Sequence, residues 1–264
     1  MSSANGSDDL PPAYDIENDG PWPPTILVLV GQSIHAESAA SAPLFQLSRG
    51  IDNVGSAMTE VELSRVQYGV KTGGGPDAEE TPAMKKPRPR HVYTLKSMSR
   101  APGGMESLPS TSPHYYIQAT SRQQQTLGHL GLRKSRLRSR YSALPLDMSV
   151  KGDYGIPQFA KDAKALFQTQ KKGDQWAWTD GEDKVVALQE ESDGQHKLLV
   201  SAEMRSDAMA SLVALWCCRI WEVSAENAPK VGGGIDGVRQ QFKSAKGTPS
   251  QATVNRLLFG GTGA

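Results

Sequence analysis

The feature that most constrains this chain is an apolar stretch at residues 206–222, SDAMASLVALWCCRIWE. Ser206 and Asp207 are residue types that cap helix N-termini, and no glycine or proline follows until Pro229, so the stretch predicts a helix. Apolar residues recur along one face at helical spacing, and the opposite face is apolar as well. The two faces carry Met209, Leu212, Val213, Trp216, Cys217 and Ile220, and Ala208, Ala210, Ala214, Leu215, Cys218 and Trp221.

A helix that is apolar on every side has to be buried on every side. Its apolar part, residues 208–218, would rise about 17 Å, which is short of the roughly 30 Å hydrocarbon core of a bilayer. We therefore expect the helix to be enclosed by the protein itself, with the preceding strands wrapped around it.

Runs rich in β-branched and aromatic residues precede the helix and are separated by turn signals. An antiparallel barrel or a strongly curved sheet would bury all faces of the helix, whereas a two-layer α+β sandwich would expose one. The sequence thus predicts a mainly β fold that encloses one hydrophobic helix near the C-terminus. The expected strands are residues 25–36 with a bend at Gly31, 43–48, 60–66, 91–96, 114–120, 166–170, 175–179, 184–189 and 198–203.

Composition divides the chain into three parts. Residues 1–24 are acidic and Pro-rich, and residues 224–264 are Gly-rich, so both are expected to be flexible tails. The domain is expected to span residues 25–223, with a long exposed loop at residues 71–91. The 17 prolines and 26 glycines in 264 residues agree with that amount of irregular chain.

The N-terminal tail contains the sequence Pro11-Pro12-Ala13-Tyr14, which has the form P-P-x-Y. Two prolines hold the backbone near polyproline II, and the tyrosine can enter an aromatic-lined groove, as in recognition by WW domains. We expect Pro11, Pro12 and Tyr14 to contact such a partner if the motif is used. The alternative is a plain Pro-rich tail in which the motif arose by chance.

The stretch KVVALQEE…KLLVSAEMRSDAMASLVALWCCRIWE, with the strands before it, resembles the tubby-like superfamily. That superfamily includes tubby C-terminal domains, phospholipid scramblases and the plant LURP-one-related proteins. The resemblance covers roughly residues 25–223 and is architectural, so it assigns no numbered residue to ligand contact. It implies a barrel around a buried helix and binding at a membrane surface.

Signatures of catalysis and of metal binding are absent from the sequence. It contains no G-x-S-x-G, H-E-x-x-H, C-x-x-C or Walker A pattern, and its five histidines are scattered without metal-ligand spacing. Cys217 and Cys218 lie on the apolar helix, where small core residues are the expected role. We therefore expect no enzyme, no cofactor and no metal site.

The location expected from the sequence is intracellular and cytoplasmic, or peripheral on a membrane. Cys217 and Cys218 are adjacent on a predicted helix, so their side chains point about 100° apart and an intrachain disulfide between them is not expected. Two unpaired thiols fit a reducing compartment. The N-terminal residues show no basic-then-apolar pattern typical of a secretory signal.

One segment is strongly basic although the whole chain has a formal net charge of only +1. No acidic residue lies between Glu106 and Asp147. If the segment is one strand, Lys134 and the arginines at every second position after it project to the same face, and their repulsion would be relieved by an anionic ligand. The candidate anion-binding residues are Arg133, Lys134, Arg136, Arg138 and Arg140.

Two classes of function follow from these features. The first is a non-enzymatic binding module that contacts anionic phospholipid, with phosphoinositides included, and recruits a WW-domain protein such as a HECT-type ubiquitin ligase. The second is a structural or lipid-handling protein in which the P-P-x-Y sequence is incidental. Nucleic-acid binding is a further alternative, although only Tyr141 lies beside the basic segment for base stacking. A solvated edge strand protected by charge is the simplest account of the segment.

Overall fold

In the computed structural model, the described residues are 20–52, 58–68, 87–98, 108–120, 126–135, 139–151, 155–192 and 194–228. Their strands and helix lie in one compact unit that ends at Asn227. The elements are β1 (Thr25–Val30), β2 (Ser33–Ala36), β3 (Pro43–Leu47), β4 (Glu60–Gln67), β5 (Arg88–Ser97), β6 (Tyr115–Ala119), β7 (Leu130–Lys134), β8 (Arg140–Lys151), β9 (Pro157–Phe159), β10 (Phe167–Lys172), β11 (Gln175–Asp180), β12 (Val185–Ser192), β13 (Gln195–Val200) and α1 (Ser206–Asn227).

Twelve of these strands close into an antiparallel barrel. Each strand from β1 to β8 pairs with the next, β10 to β13 do the same, and β13 pairs with β1. The ring closes where the first part of β8 pairs with β10, from Arg140 opposite Gln170 to Ala143 opposite Phe167. The far part of β8 pairs instead with the short strand β9, which lies outside the ring. The predicted mainly β barrel is therefore confirmed.

The helix α1 lies inside the barrel, as its apolar faces predicted. Residues 209–221 are almost wholly inaccessible to solvent, and Trp221 packs edge-on against Tyr115 of β6 with ring centroids 5.6 Å apart. Cys217 and Cys218 are buried free thiols, and burial raises the pKa of both. They are core residues in this fold.

The helix is longer than the sequence predicted, because it continues to Asn227. With 22 residues it is long and apolar enough to cross a membrane by length and composition alone, so the argument from a 17 Å rise was wrong. Burial shows instead that the helix lies inside the protein, because 78% of its most apolar window is enclosed by the barrel. The helix is the core of the domain.

The N-terminal end of the helix is held by a residue that the sequence assigned to the tail. Trp22 is buried, forms an isolated bridge with Met204 and stacks on Phe45 with centroids 5.9 Å apart. Its indole Nε1 donates to the Ser206 Oγ at 3.3 Å, and the Arg65 guanidinium lies 5.2 Å from its ring centroid. The fold therefore begins before residue 25.

Two other differences from the predicted strands have local causes. The strand expected at 91–96 begins at Arg88, inside the predicted loop 71–91, of which residues 71–86 lie outside the described residues. The long strand β8 was not predicted, and Pro145 lies in its middle, where a proline argues against a central strand. The structure accommodates Pro145 where β8 leaves β10 and begins to pair with β9.

Replacing Trp216 by Asp is expected to abolish folding. Trp216 is completely buried at the centre of α1, and an unpaired charge there costs several kcal/mol against a total stability of about 5–15 kcal/mol. The control is Val185→Asp, which places the same charge at an exposed position of β12 and should cost about 1 kcal/mol or less. A cooperative thermal melt of the Trp216 variant at the wild-type temperature would contradict the enclosed helix.

Candidate functional site

A cavity of about 560 Å³ opens beside the C-terminal part of α1. Its wall is formed by the segment before β6, by the end of β7, by the start of β8 and by the helix itself. The volume lies within the range of small-molecule sites in proteins. The polar residues of its wall include Ser112, His114, Tyr115, Arg133, Lys134, Tyr141 and Glu222.

The basic segment, predicted as one strand, is split between two strands that pair with each other. The strand β7 ends at Lys134 and β8 begins at Arg140, with Lys134 opposite Tyr141 in the ladder. The expectation of a single strand was therefore wrong. Basic residues at every second position are compatible with one continuous strand and also with two paired strands joined by a turn. Arg133 and Lys134 line the cavity, whereas Arg136 and Arg138 lie outside the described residues.

Lys134 is the basic residue that the structure places against the helix. Its Nζ donates to the Glu226 Oε1 at 2.7 Å and lies 3.6 Å from the Glu222 Oε1. Burial alone would lower the pKa of Lys134, but the bond to Glu226 and the field of Glu222 outweigh it and raise that pKa. The side chain stays charged and is still 46% exposed at the cavity.

The other two described members of the basic segment make weaker contacts. The Arg133 guanidinium lies 5.8 Å from the ring centroid of Phe159 on β9, and the side chain is exposed. Arg140 is half-buried and donates a hydrogen bond to Gln168 on β10. Neither has an acidic partner among the ion pairs of the described residues.

Two charged residues of the helix are buried at this end, and the sequence analysis overlooked both. Glu222 is only 4% exposed, its Oε2 has no hydrogen-bond partner among the described residues, and burial raises the pKa of its carboxyl. Arg219 is equally buried, and its Nε donates to the Gln189 Oε1 at 2.8 Å. Burial lowers the pKa of Arg219 to about 10. The signal available in the sequence was two ionisable residues, three apart, in a helix that is otherwise apolar.

The remaining titratable groups of the cavity are neutral at physiological pH. Burial raises the pKa of Tyr115 and of Tyr141 to about 12, so both phenols keep their protons. The pKa of His114 is lowered by burial and by the charge of Lys134, so its imidazole is neutral. The cavity therefore offers neutral hydroxyl and imidazole groups around one guanidinium, one ammonium and one buried carboxylate.

The tertiary structure brings two further lysines to the same end of the barrel. Because β10 runs antiparallel to β8, Lys171 and Lys172 lie beside the start of β8, and the Lys171 backbone N–H donates to the Ser139 carbonyl at 3.1 Å. Acidic residues follow two strands further on, where β12 carries Glu190 and Glu191. The described basic residues at this end of the barrel thus include residues of β7, β8 and β10.

One predicted site lies outside the part of the chain that the structure describes. Pro11, Pro12 and Tyr14 lie outside the described residues. In the part of the chain that the structure describes, no three histidine, cysteine, aspartate or glutamate residues are grouped so as to hold a metal ion.

The fold and the cavity together define the class of this protein. It is a closed antiparallel barrel around a central helix, with a polar cavity at one end beside a basic hairpin, and this architecture resembles a tubby-like barrel. No family model, no curated protein and no solved structure matches the chain.

Replacing Glu222 by Gln is expected to remove a pH-dependent loss of stability. The folded state holds the Glu222 proton more tightly than the unfolded chain does, so this residue makes stability fall as the pH rises above the ordinary carboxyl pKa of 4.5. The melting temperature of the variant relative to wild type should therefore increase from pH 4 to pH 7. Glu203→Gln, at an exposed residue before α1, is the control that should show no such trend. A constant difference between wild type and the Glu222 variant would contradict the raised pKa.

Proposed function

We propose that this protein is a non-enzymatic module that binds a membrane surface through the basic hairpin, defined as residues 133–140. The observation that supports the proposal is the pairing of Lys134 with Tyr141, which places the described basic residues Arg133, Lys134 and Arg140 on two paired strands beside the cavity, with Arg136 and Arg138 between them in the sequence. A hairpin without any acidic residue can approach an anionic surface without repulsion. The resemblance to the tubby-like barrel supports the same function, and membership of that superfamily is part of the proposal.

The arginines carry this interaction, since the charge of Lys134 is already offset by Glu226 and Glu222. Each basic residue near an anionic membrane contributes about 1 kcal/mol, and Lys171 and Lys172 add to the same surface. The ligand class is an anionic phospholipid, with phosphoinositides included. A cytoplasmic membrane face would present such lipids to a protein that keeps Cys217 and Cys218 as free thiols.

Phospholipid is favoured over nucleic acid by the position of the nearest aromatic residue. Tyr141 was the one available stacking partner in the sequence, but it is only 4% exposed. Its ring lies 5.7 Å from that of Trp176, on the side of the sheet that faces the helix. A buried ring offers no stacking surface to a base, so this route to nucleic-acid binding is removed.

The second element of the proposal is recruitment of a WW-domain protein by the Pro11-Pro12-Ala13-Tyr14 sequence. A module that binds a membrane and a HECT-type ubiquitin ligase would act as an adaptor. The support for this element is the sequence motif alone.

Replacing Arg136, Arg138 and Arg140 by Gln is expected to reduce flotation with vesicles that contain phosphatidylserine or phosphoinositide. Three charges near the surface correspond to about 3 kcal/mol, or roughly a hundredfold in affinity. Binding of wild type should also weaken with salt, as the Debye length shrinks from about 10 Å at 0.1 M to about 3 Å at 1 M.

The matched control removes the same charge from the opposite end of β10 and β11. Lys161, Lys164 and Lys184 are exposed there, and their replacement by Gln should leave flotation unchanged. Equal flotation of wild type and the arginine variant, or equal losses in the two variants, would show that the basic hairpin is not the membrane contact.

Replacing Tyr14 by Ala is expected to abolish binding of a WW domain to the full chain, since the tyrosine is the side chain that enters the groove. Thermal stability should not change, because the described core begins at Trp22. Ala13→Ser changes the variable position of the motif and should retain binding. Isothermal titration calorimetry measures all three proteins, and undiminished binding by the Tyr14 variant would exclude this motif.

A further inference from the structure

The cavity beside the basic hairpin contains a pair of opposite charges that is only partly satisfied within the protein. Lys134 and Glu222 approach to 3.6 Å, which is longer than a charge-assisted hydrogen bond. The one short bond of the Lys134 ammonium goes to Glu226, and an ammonium has three donors. The lysine therefore has further N–H groups that can act as hydrogen-bond donors, and its side chain is 46% exposed at the cavity.

Glu222, the acidic member of this pair, has an oxygen that lacks a hydrogen-bond donor. Its side chain is more than nine-tenths buried on the cavity wall, where the Tyr141 hydroxyl interacts with the carboxylate, and its Oε2 has no hydrogen-bond partner among the described residues. A buried acceptor without a donor carries a desolvation cost that a ligand can relieve. A ligand that places an N–H group at Glu222 and an anionic oxygen at Lys134 would satisfy both residues together.

The charge balance at this end of the helix limits the ligand further. Arg133, Lys134 and Arg219 are cations and Glu222 and Glu226 are carboxylates, so the described charges around the helix end leave one excess positive charge. A polyanion in the cavity would meet the two carboxylates, whereas a zwitterion can place its phosphate at the cations and its ammonium at Glu222. Ser112 on the cavity wall adds an uncharged hydrogen-bonding partner for a phosphate.

We infer that this cavity binds a small zwitterionic phosphoester in which a phosphate and an N–H-bearing ammonium are separated by two carbons, as in phosphoethanolamine. The phosphate lies at Lys134 and the ammonium at Glu222. One source of this ligand is a phospholipid headgroup, and only for this source does the inference rest on the membrane function proposed above. A free phosphoethanolamine molecule is the other source.

Calorimetric titration of the full chain with soluble phosphoethanolamine and with phosphocholine tests this inference. The two ligands both carry a phosphate and a positive nitrogen, but the methylated nitrogen of phosphocholine has no N–H to donate. Phosphoethanolamine should bind at least about tenfold more tightly, the typical effect of one charge-assisted hydrogen bond. Undetectable binding of phosphoethanolamine, or equal affinity for the two ligands, would overturn the inference.

Substitutions at the cavity test whether phosphoethanolamine binds there. Glu222→Gln should weaken phosphoethanolamine binding about tenfold or more and weaken phosphocholine binding less, because phosphocholine loses a charge attraction but no hydrogen bond, whereas Lys134→Gln should weaken both. Glu203→Gln, at an exposed position before the helix, should change neither. Unchanged affinity in a folded Glu222 variant would overturn the site. If the Glu222 variant does not fold, the ratio of the affinities of the wild-type protein for the two ligands still tests the inference.

A vesicle experiment distinguishes the two sources and separates this inference from the proposed function. Phosphatidylethanolamine is placed in phosphatidylcholine vesicles without anionic lipid, and pure phosphatidylcholine vesicles are the control. Flotation with the first and not with the second identifies a lipid headgroup as the ligand, and binding of the soluble compound alone identifies a free phosphoester. Loss of binding to anionic vesicles together with intact phosphoethanolamine binding would overturn the membrane proposal and leave the cavity site standing.

Discussion

The burial of one helix within a closed ring of strands is the constraint on which the rest of this structure depends. The faces of α1 bury Leu212, Val213, Trp216 and Ile220 on strands from around the barrel, and each such side chain contributes about 1.5–3 kcal/mol when fully buried. An open sheet would leave part of this surface in water. Closure through the β8–β10 pairing is therefore required by the helix, and it also removes the exposed sheet edges that favour aggregation.

The same closure explains why the chemistry is concentrated at one end. The middle of the helix is mostly apolar, whereas its last turns carry the charged residues Arg219, Glu222 and Glu226. Charges buried near an opening need partners from neighbouring strands, and Gln189 and Lys134 supply them. The Oε2 of Glu222 stays without a partner among the described residues, and the proposed ligand site is inferred from that.

The basic hairpin and the cavity are neighbours because of strand pairing. Lys134 belongs to both, since it ends β7, faces the helix and lies at the cavity. An anionic membrane would attract the arginines of the hairpin, and a headgroup in the cavity would then engage Lys134 and Glu222. The two proposals, attraction by the surface and recognition in the cavity, are thus separate interactions that different variants would remove one at a time.

Hydrophobic periodicity in the sequence by itself determined that a helix apolar on every side had to be enclosed, and it placed most of the strands near their observed bounds. Local patterns could not predict β8, because Pro145 is compatible with a strand only where the strand changes partners. The site was predicted only in part: Arg133 and Lys134 lie at the cavity, but the relation of Lys134 to Glu222 joins residues that are far apart in the chain. Only barrel closure decided that contact, since which residues share one end of a barrel depends on strand register, and register is a property of the paired strands rather than of either sequence alone.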